Sequence, residues 1–329
     1  MITSLMDVRS SLRKLLHSKN TVLIIIVLAV ILFFNFLNEN FISLGNLRNI
    51  MISVSFVGVL CVGVTMLLIG GEVDLSTGAI ASLGGVIVGV LVNISVPWAI
   101  ALIITIILGA LLGLINAMFI NKLGIMGFIT TIAMISVYQG IAVTITQGKP
   151  MQVISADFWT LGSTALWNLI PLPFVIMIVL MIAYSIVLSS TNFGRSVYMC
   201  GGNRRAARLC GINPKRISNI LYINNGALAA LSGAVLSSRM HAAGPTAGSS
   251  GSLDAITAVV LGGVSFHGGV GGMSGCLIGL LLIDLFNAGL TMVGFPSYWQ
   301  FVVRGGVLIL ALFMDFVSTG ARTRALKNA

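Results

Sequence analysis

W-A-I-A-L-I-I-T-I-I-L-G-A-L-L-G-L-I-N-A-M-F-I, residues 98–120, runs for 23 residues without a single charge. Coiled as an α-helix it would measure about 35 Å, enough to cross a hydrocarbon core of about 30 Å. Working outward, comparable apolar runs lie near 20–37, 48–70, 77–95, 126–147, 168–189, 216–239, 253–267, 272–294 and 298–317. The whole 329-residue chain is 57% hydrophobic and 8% charged, against roughly 25% charged in a soluble domain. That excludes an ordinary soluble enzyme. The pattern predicts an all-α, polytopic transmembrane helical bundle of about ten helices, with eight as the lower bound. Gly70-Gly71 and Gly262-Gly263 are expected to break the third and eighth runs into half-helices.

Charge placement orients the bundle. The 18 Lys and Arg against 8 Asp and Glu give a net charge of +10. With the N-terminus inside, fourteen basic residues fall on cytoplasmic segments and three (Arg48, Lys149, Arg239) on the opposite loops, while Arg304 falls in the last run. This is the positive-inside pattern, and it accounts for the positive balance without nucleic acid. Both termini of a multi-pass membrane protein are therefore expected in the cytoplasm. Residues 1–19 are expected to form a cytoplasmic N-terminal segment, 20–317 a single transmembrane domain, and 318–329 a cytoplasmic tail. The first run reads as a transmembrane helix rather than a cleaved signal, because it lacks a small-x-small site and apolar sequence continues beyond it. Cys61, Cys200, Cys210 and Cys276 are scattered, which suggests neither a metal site nor a disulfide framework.

The longest basic interruption, 190–216, contains G-G-N-R-R-A-A-R-L-C-G-I-N at 201–213. Asn203 is a plausible N-cap and Gly211 a plausible stop, so a short surface helix is expected between them. On charge alone, this segment is either a docking surface or merely the basic loop that topology demands.

Sequence order favours docking. The 201–213 block, preceded by F-G-R at 193–195, resembles the coupling segment of ribose- and galactose-type permeases of ATP-binding-cassette importers. G-E-V-D-L-S-T-G at 71–78, L-D-A-I-T-A-V-V-L-G-G-V-S-F-H-G-G-V-G at 253–271 and S-Y-W-Q-F-V-V-R-G at 297–305 are similar to further elements of that family, in the same order. The resemblance covers roughly residues 40–317. It implies a permease subunit that contacts a cytoplasmic, tandem ATP-binding subunit through Gly202, Asn203, Arg204, Arg205, Ala206, Ala207, Arg208 and Gly211. It also implies a second permease subunit, identical or paralogous, and an external sugar-binding protein. The chain carries no G-x-x-x-x-G-K-[ST] loop, so it is read as a transporter subunit that binds no cofactor, with ATP and Mg on the partner. Arg204 and Arg205 depart from the family, which carries acidic residues there. A helix N-terminus disfavours positive charge, so compensation by an acidic groove on the ATPase is expected, with positive-inside anchoring as the alternative.

Asp74, Ser76, Asn116, Asp254, Asp284 and Asn287 are the candidates for the translocation path, since polar groups in a membrane domain need a partner or a watery cavity. Asp74 and Asp254 could equally stabilise helix N-termini. Asp284 also departs from the family; it stands one turn from Asn287 and is expected to pair with Arg304 or Arg239, or else to face a polyol. Asn116, Asn224 and Asn225 could be packing hydrogen bonds. His267 reads as an interface residue, and Trp159, Trp167 and Trp299 as interfacial anchors before sugar platforms. The resulting expectation is ATP-driven import of a small neutral sugar, pentose or hexose. The rival is an ion-coupled secondary transporter using Asp74, Asp254 and Asp284.

Overall fold

The computed structural model describes residues 19–313 apart from 168, 297, 301 and 304. Arg9, Arg13 and Lys14 of the basic N-terminal segment, Arg304 and the tail 318–329 lie outside the described residues. The helices, in chain order, begin with α1 (Lys19–Leu37), α2 (Leu44–Ile69), α3 (Thr77–Asn93), α4 (Trp98–Asn121), α5 (Gly127–Thr146), α6 (Ala156–Ser163) and α7 (Leu172–Ser190). There follow α8 (Asn192–Gly202), α9 (Arg204–Leu209), α10 (Pro214–Met240), α11 (Gly251–Leu261), α12 (Met273–Met292) and α13 (Tyr298–Phe313).

Each expected apolar run coincides with a helix. Six of them, α2, α4, α5, α7, α10 and α12, are long and apolar enough to cross a membrane. α11 has 11 residues and reaches only about 16 Å, so the run expected over 253–267 is a half-helix that stops at Gly262. The third run is likewise shortened to Thr77–Asn93 and is separated from α2 by the link 70–76. Gly71 (φ +72°) and Gly263 (φ +87°) sit at these breaks in left-handed backbone that glycine adopts without strain. The run expected from 168 starts instead at Leu172, because Pro171 precedes the helix and Ile170–Pro171 pairs as a strand with Ala165–Leu166.

α2 and α10 form the buried axis, while the flanks of α1, α4, α5 and α7 expose apolar side chains such as Phe36, Ile103, Ile129 and Ile182 to lipid. α10 packs chiefly against α4, α3 and α2. Lipid is as apolar as these side chains, so association depends on close backbone approach and hydrogen bonds. The contact shows both. A Cβ on Gly226 would lie 2.2 Å from the Gly109 carbonyl oxygen, and one on Gly233 would lie 1.8 Å from that of Ala81. At the outer end, the segment after α5 is tied down by an antiparallel pair, Met151–Gln152 with Ala242–Ala243. Trp159 on α6 donates its indole N–H to the Val153 carbonyl at 2.8 Å and stacks on His241 at 4.3 Å. It is therefore a packed residue, whereas Trp167 and Trp299 remain exposed, as interfacial anchors would be.

Candidate functional site

Polar side chains gather in three places, and the first is the basic surface at the end assigned by charge to the cytoplasm. Thr191 starts α8 by accepting from the Gly194 N–H at 3.1 Å. Asn203 starts α9 by accepting from Arg205 N–H at 2.9 Å and Ala206 N–H at 3.1 Å, as its cap position predicts. Gly211 (φ +80°) ends the turn, and Asn213 caps α10 immediately ahead of Pro214. The segment thus holds two surface helices where one was expected. Ala207 is its buried anchor, while Gly202, Asn203, Arg205, Ala206, Arg208 and Gly211 stay exposed. Leu209 at the tip is 90% exposed.

Arg204 corrects the expectation placed on it. Its guanidinium donates to Glu72 at 2.6 Å and to the Gly71 carbonyl at 3.3 Å. Its unfavourable position at a helix N-terminus is therefore offset within this chain by a carboxylate on the 70–76 link. Arg205 keeps its exposed side chain without such an ion pair among the described residues. Beneath the pair, Tyr198 donates to the Gly271 carbonyl at 2.7 Å. Burial pushes both the Tyr198 hydroxyl and the Cys200 thiol up from their ordinary values, so each stays neutral in this contact.

The second place is the fully buried carboxylate of Asp74. One oxygen accepts from the Ser76 N–H at 2.8 Å and the Ser76 hydroxyl at 2.6 Å. The other accepts from Asn225 at 3.1 Å and Asn116 at 3.4 Å. Asn116 also donates to Ser76 and accepts from Tyr138, both at 2.8 Å, while Asn225 donates to Thr77 at 2.9 Å. Asp74 therefore does more than steady the entry to α3. It joins the 70–76 link to α4, α5 and α10 through a dense set of buried hydrogen bonds, in which the Asn225 amide oxygen alone of the atoms named here accepts none. Asp74, Ser76 and Asn116 are closed into this network and are not set around open space. Tyr138, Thr77 and Tyr222, whose hydroxyl holds the Val73 carbonyl at 2.9 Å, were not among the expected residues. Thr77 lies in the block at 71–78 and Tyr222 precedes Asn224-Asn225, so both stood beside residues already marked, whereas Tyr138 is a single polar group on the apolar α5.

The third place is a cavity of about 220 Å³ among α2, α10, α11 and α12, whose polar lining is Ser53, Arg239, Ser250, Asp254, Asp284 and Asn287. Asp254 lies in the first turn of α11, where its charge suits the helix N-terminus. Asp284 accepts from the Ser53 hydroxyl at 3.3 Å. Arg239 opens onto the same cavity without an ion pair to Asp284 among the described residues, and Arg304, the other partner expected for Asp284, lies outside them. Phe56 supplies an aromatic wall. Three of the six expected path residues thus share one polar chamber, and the other three brace the core below it.

Comparison with known proteins accords with this architecture. Residues 46–312 match the family described as "Branched-chain amino acid transport system / permease component". The chain is 37% identical to the Ribose import permease protein RbsC of Bacillus subtilis (strain 168), over 87% of this chain and 89% of that protein. It is 34% identical to RbsC of Escherichia coli (strain K12), over 92% and 94% of the two chains. Identity to the Xylose transport system permease protein XylH of the same strain is 30%, over 92% and 93%. No solved structure gives a significant match. With nearly the whole bundle matched, this chain belongs to that permease family and is the multi-pass membrane component of a transport system.

Proposed function

We propose that this chain forms the translocation path of an ATP-driven importer for a small neutral sugar, pentose or hexose, in the bacterial cytoplasmic membrane. The observation that carries this reading is the rigid cytoplasmic platform: two capped surface helices, α8 and α9, packed on the broken ends of the bundle and presenting Arg205, Arg208 and Leu209 outward. A membrane carrier driven by an ion gradient needs no such protrusion. A tandem ATP-binding subunit, which holds ATP and Mg, would grip it with an apolar pocket for Leu209 and an acidic rim for Arg205 and Arg208. Closure of the nucleotide sites would then rock two permease subunits, identical or paralogous, and open the path alternately to either side.

The names of the relatives, for ribose and xylose, support a monosaccharide as cargo. So does the chamber, whose carboxylates accept from sugar hydroxyls while Arg239 and Asn287 donate to them beside Phe56. An external binding protein supplies affinity, and the chamber need only hold sugar weakly enough to release it.

The test is purification of the tagged chain with its neighbours, followed by ATPase and uptake assays in proteoliposomes with ribose- or xylose-loaded binding proteins. Co-purification of an ATPase stimulated by a loaded binding protein supports the proposal. Uptake under a proton or sodium gradient without ATP overturns it and makes Asp254 and Asp284 an ion site.

A further inference from the structure

The platform is joined to the bundle by unusually direct contacts. At the end of α8, a Cβ on Gly201 would lie 1.8 Å from the Ile69 carbonyl oxygen at the end of α2, and 2.6 Å from Gly269 N beyond α11. Gly269 N–H in turn donates to that Ile69 carbonyl at 2.8 Å. A Cβ on Gly268 would lie 2.9 Å from both the Gly71 Cα and the Gly201 carbonyl oxygen. Three glycine segments thus meet backbone to backbone, with no side chain between them to absorb a displacement.

One ion pair spans the join. Arg204 is half exposed on α9, whereas its partner Glu72 is 7% exposed within the 70–76 link. Two residues on, that link carries Asp74, which is bonded to α4 and α10. On the other side of the join, the segment that holds Gly268 and Gly269 leads back into α11 and so to Asp254 in the chamber.

We infer that Glu72 and Arg204 are a positioning pair that couples movement of the surface helices to the two broken elements of the path, so that losing the pair lowers the sugar moved per ATP hydrolysed. The inference rests on the importer reading above. The Gly201 contact resists compression of the platform into the bundle, but a van der Waals contact cannot pull. A salt bridge holds in both directions; the Tyr198 hydrogen bond to the Gly271 carbonyl tethers the segment before α12, and Arg204 with Glu72 tethers the 70–76 link, so the return stroke of that link depends on the pair. Its low exposure on the Glu72 side makes it stronger than a pair in open water. Arg204 therefore faces inward to the link, and the ATPase is left with Arg205 and Arg208.

The experiment uses the reconstituted complex and measures two rates together, ATP hydrolysis and sugar uptake, for the wild type, Glu72→Gln, Arg204→Gln, and the exchange of Glu72→Arg with Arg204→Glu. A coupling element of ordinary strength predicts that either single variant lowers uptake per ATP by at least about five-fold. The exchange restores at least half of that ratio, which shows that the ion pair itself is needed, while a merely structural role would lower uptake and hydrolysis together and leave their ratio unchanged. A ratio that stays at the wild-type value in both single variants overturns the inference, as does an exchange no better than the worse of them. Should Glu72→Gln fail to accumulate, Arg204→Gln at the half-exposed end gives the same reading. Wild-type vesicles that accumulate sugar without ATP overturn the importer reading itself, and this inference with it.

Discussion

The two ends of the bundle handle their polar groups in opposite ways. At the end assigned to the cytoplasm, Asp74, Ser76, Asn116, Asn225 and Tyr138 close on one another without leaving a void, and glycines bring Ile69, Gly201 and Gly269 together at backbone distance. Toward the outer side, Asp254, Asp284, Asn287 and Arg239 line a chamber of about 220 Å³, where Asp284 accepts from the Ser53 hydroxyl in the same lining. The same residue types serve stiffness in one place and room in the other. Packed, densely hydrogen-bonded networks have few low-energy arrangements and transmit displacement, whereas a polar cavity tolerates rearrangement and admits a ligand. A permease needs both, because a force applied at one end must change what the other end binds.

The sharpest way to break the comparison is to overfill the stiff half. Gly233→Val puts a side chain where a Cβ already lies 1.8 Å from Ala81 O; it should separate α10 from α3 and destabilise the bundle by about 3 kcal/mol. Size-exclusion profiles and melting temperature in detergent measure this, and a normal melting curve would contradict the tight packing. Next in size is Asp74→Ala, which leaves the buried amides of Asn116 and Asn225 short of an acceptor. It should cost about 2 kcal/mol of stability, and Asp74→Asn less, by the same melting assay.

In the roomy half, the effects should move from stability to transport. Asp284→Asn is nearly isosteric and is expected to shift melting by less than about 0.5 kcal/mol while lowering sugar uptake in proteoliposomes about ten-fold, equal to about 1.4 kcal/mol. If melting falls as far as it does for Asp74→Ala, the chamber belongs to the stiff class after all. The smallest change is expected outside both halves. Arg205→Ala removes one exposed charge, worth at most about 1 kcal/mol in a salt-screened contact, so ATPase affinity measured by pull-down should drop about two- to five-fold and fall further as salt is raised.

Much of this arrangement was legible along the chain. The apolar runs marked the helices, and glycines at 70–71 and 262–263 marked the breaks, because membrane helices and left-handed turns are set by residues close in sequence. Asn203 and Gly211 located the ends of α9 for the same reason. The partner of Arg204 was not legible: Glu72 stands 132 residues away, so an acidic groove on another protein looked equally able to compensate it. Asp74 at the edge of a run and Asp284 inside one both stood as candidates for the translocation path. Only packing put one against two asparagines and the other beside an open chamber. The two-residue strand pairs at the outer end were invisible because so short a segment carries no periodicity.

The sequence by itself determined that this chain is a membrane bundle, where its helices break, and that a capped basic segment stands apart from the spans. Lipid enforces these local rules, since it offers no hydrogen-bond partner to an unfolded backbone. Which polar side chain meets which other, and hence which carboxylate braces the core and which lines the chamber, was decided by tertiary structure alone. Those pairings join residues separated by tens to hundreds of positions, and they depend on how closely glycine allows α10, α4, α3 and the surface helices to approach.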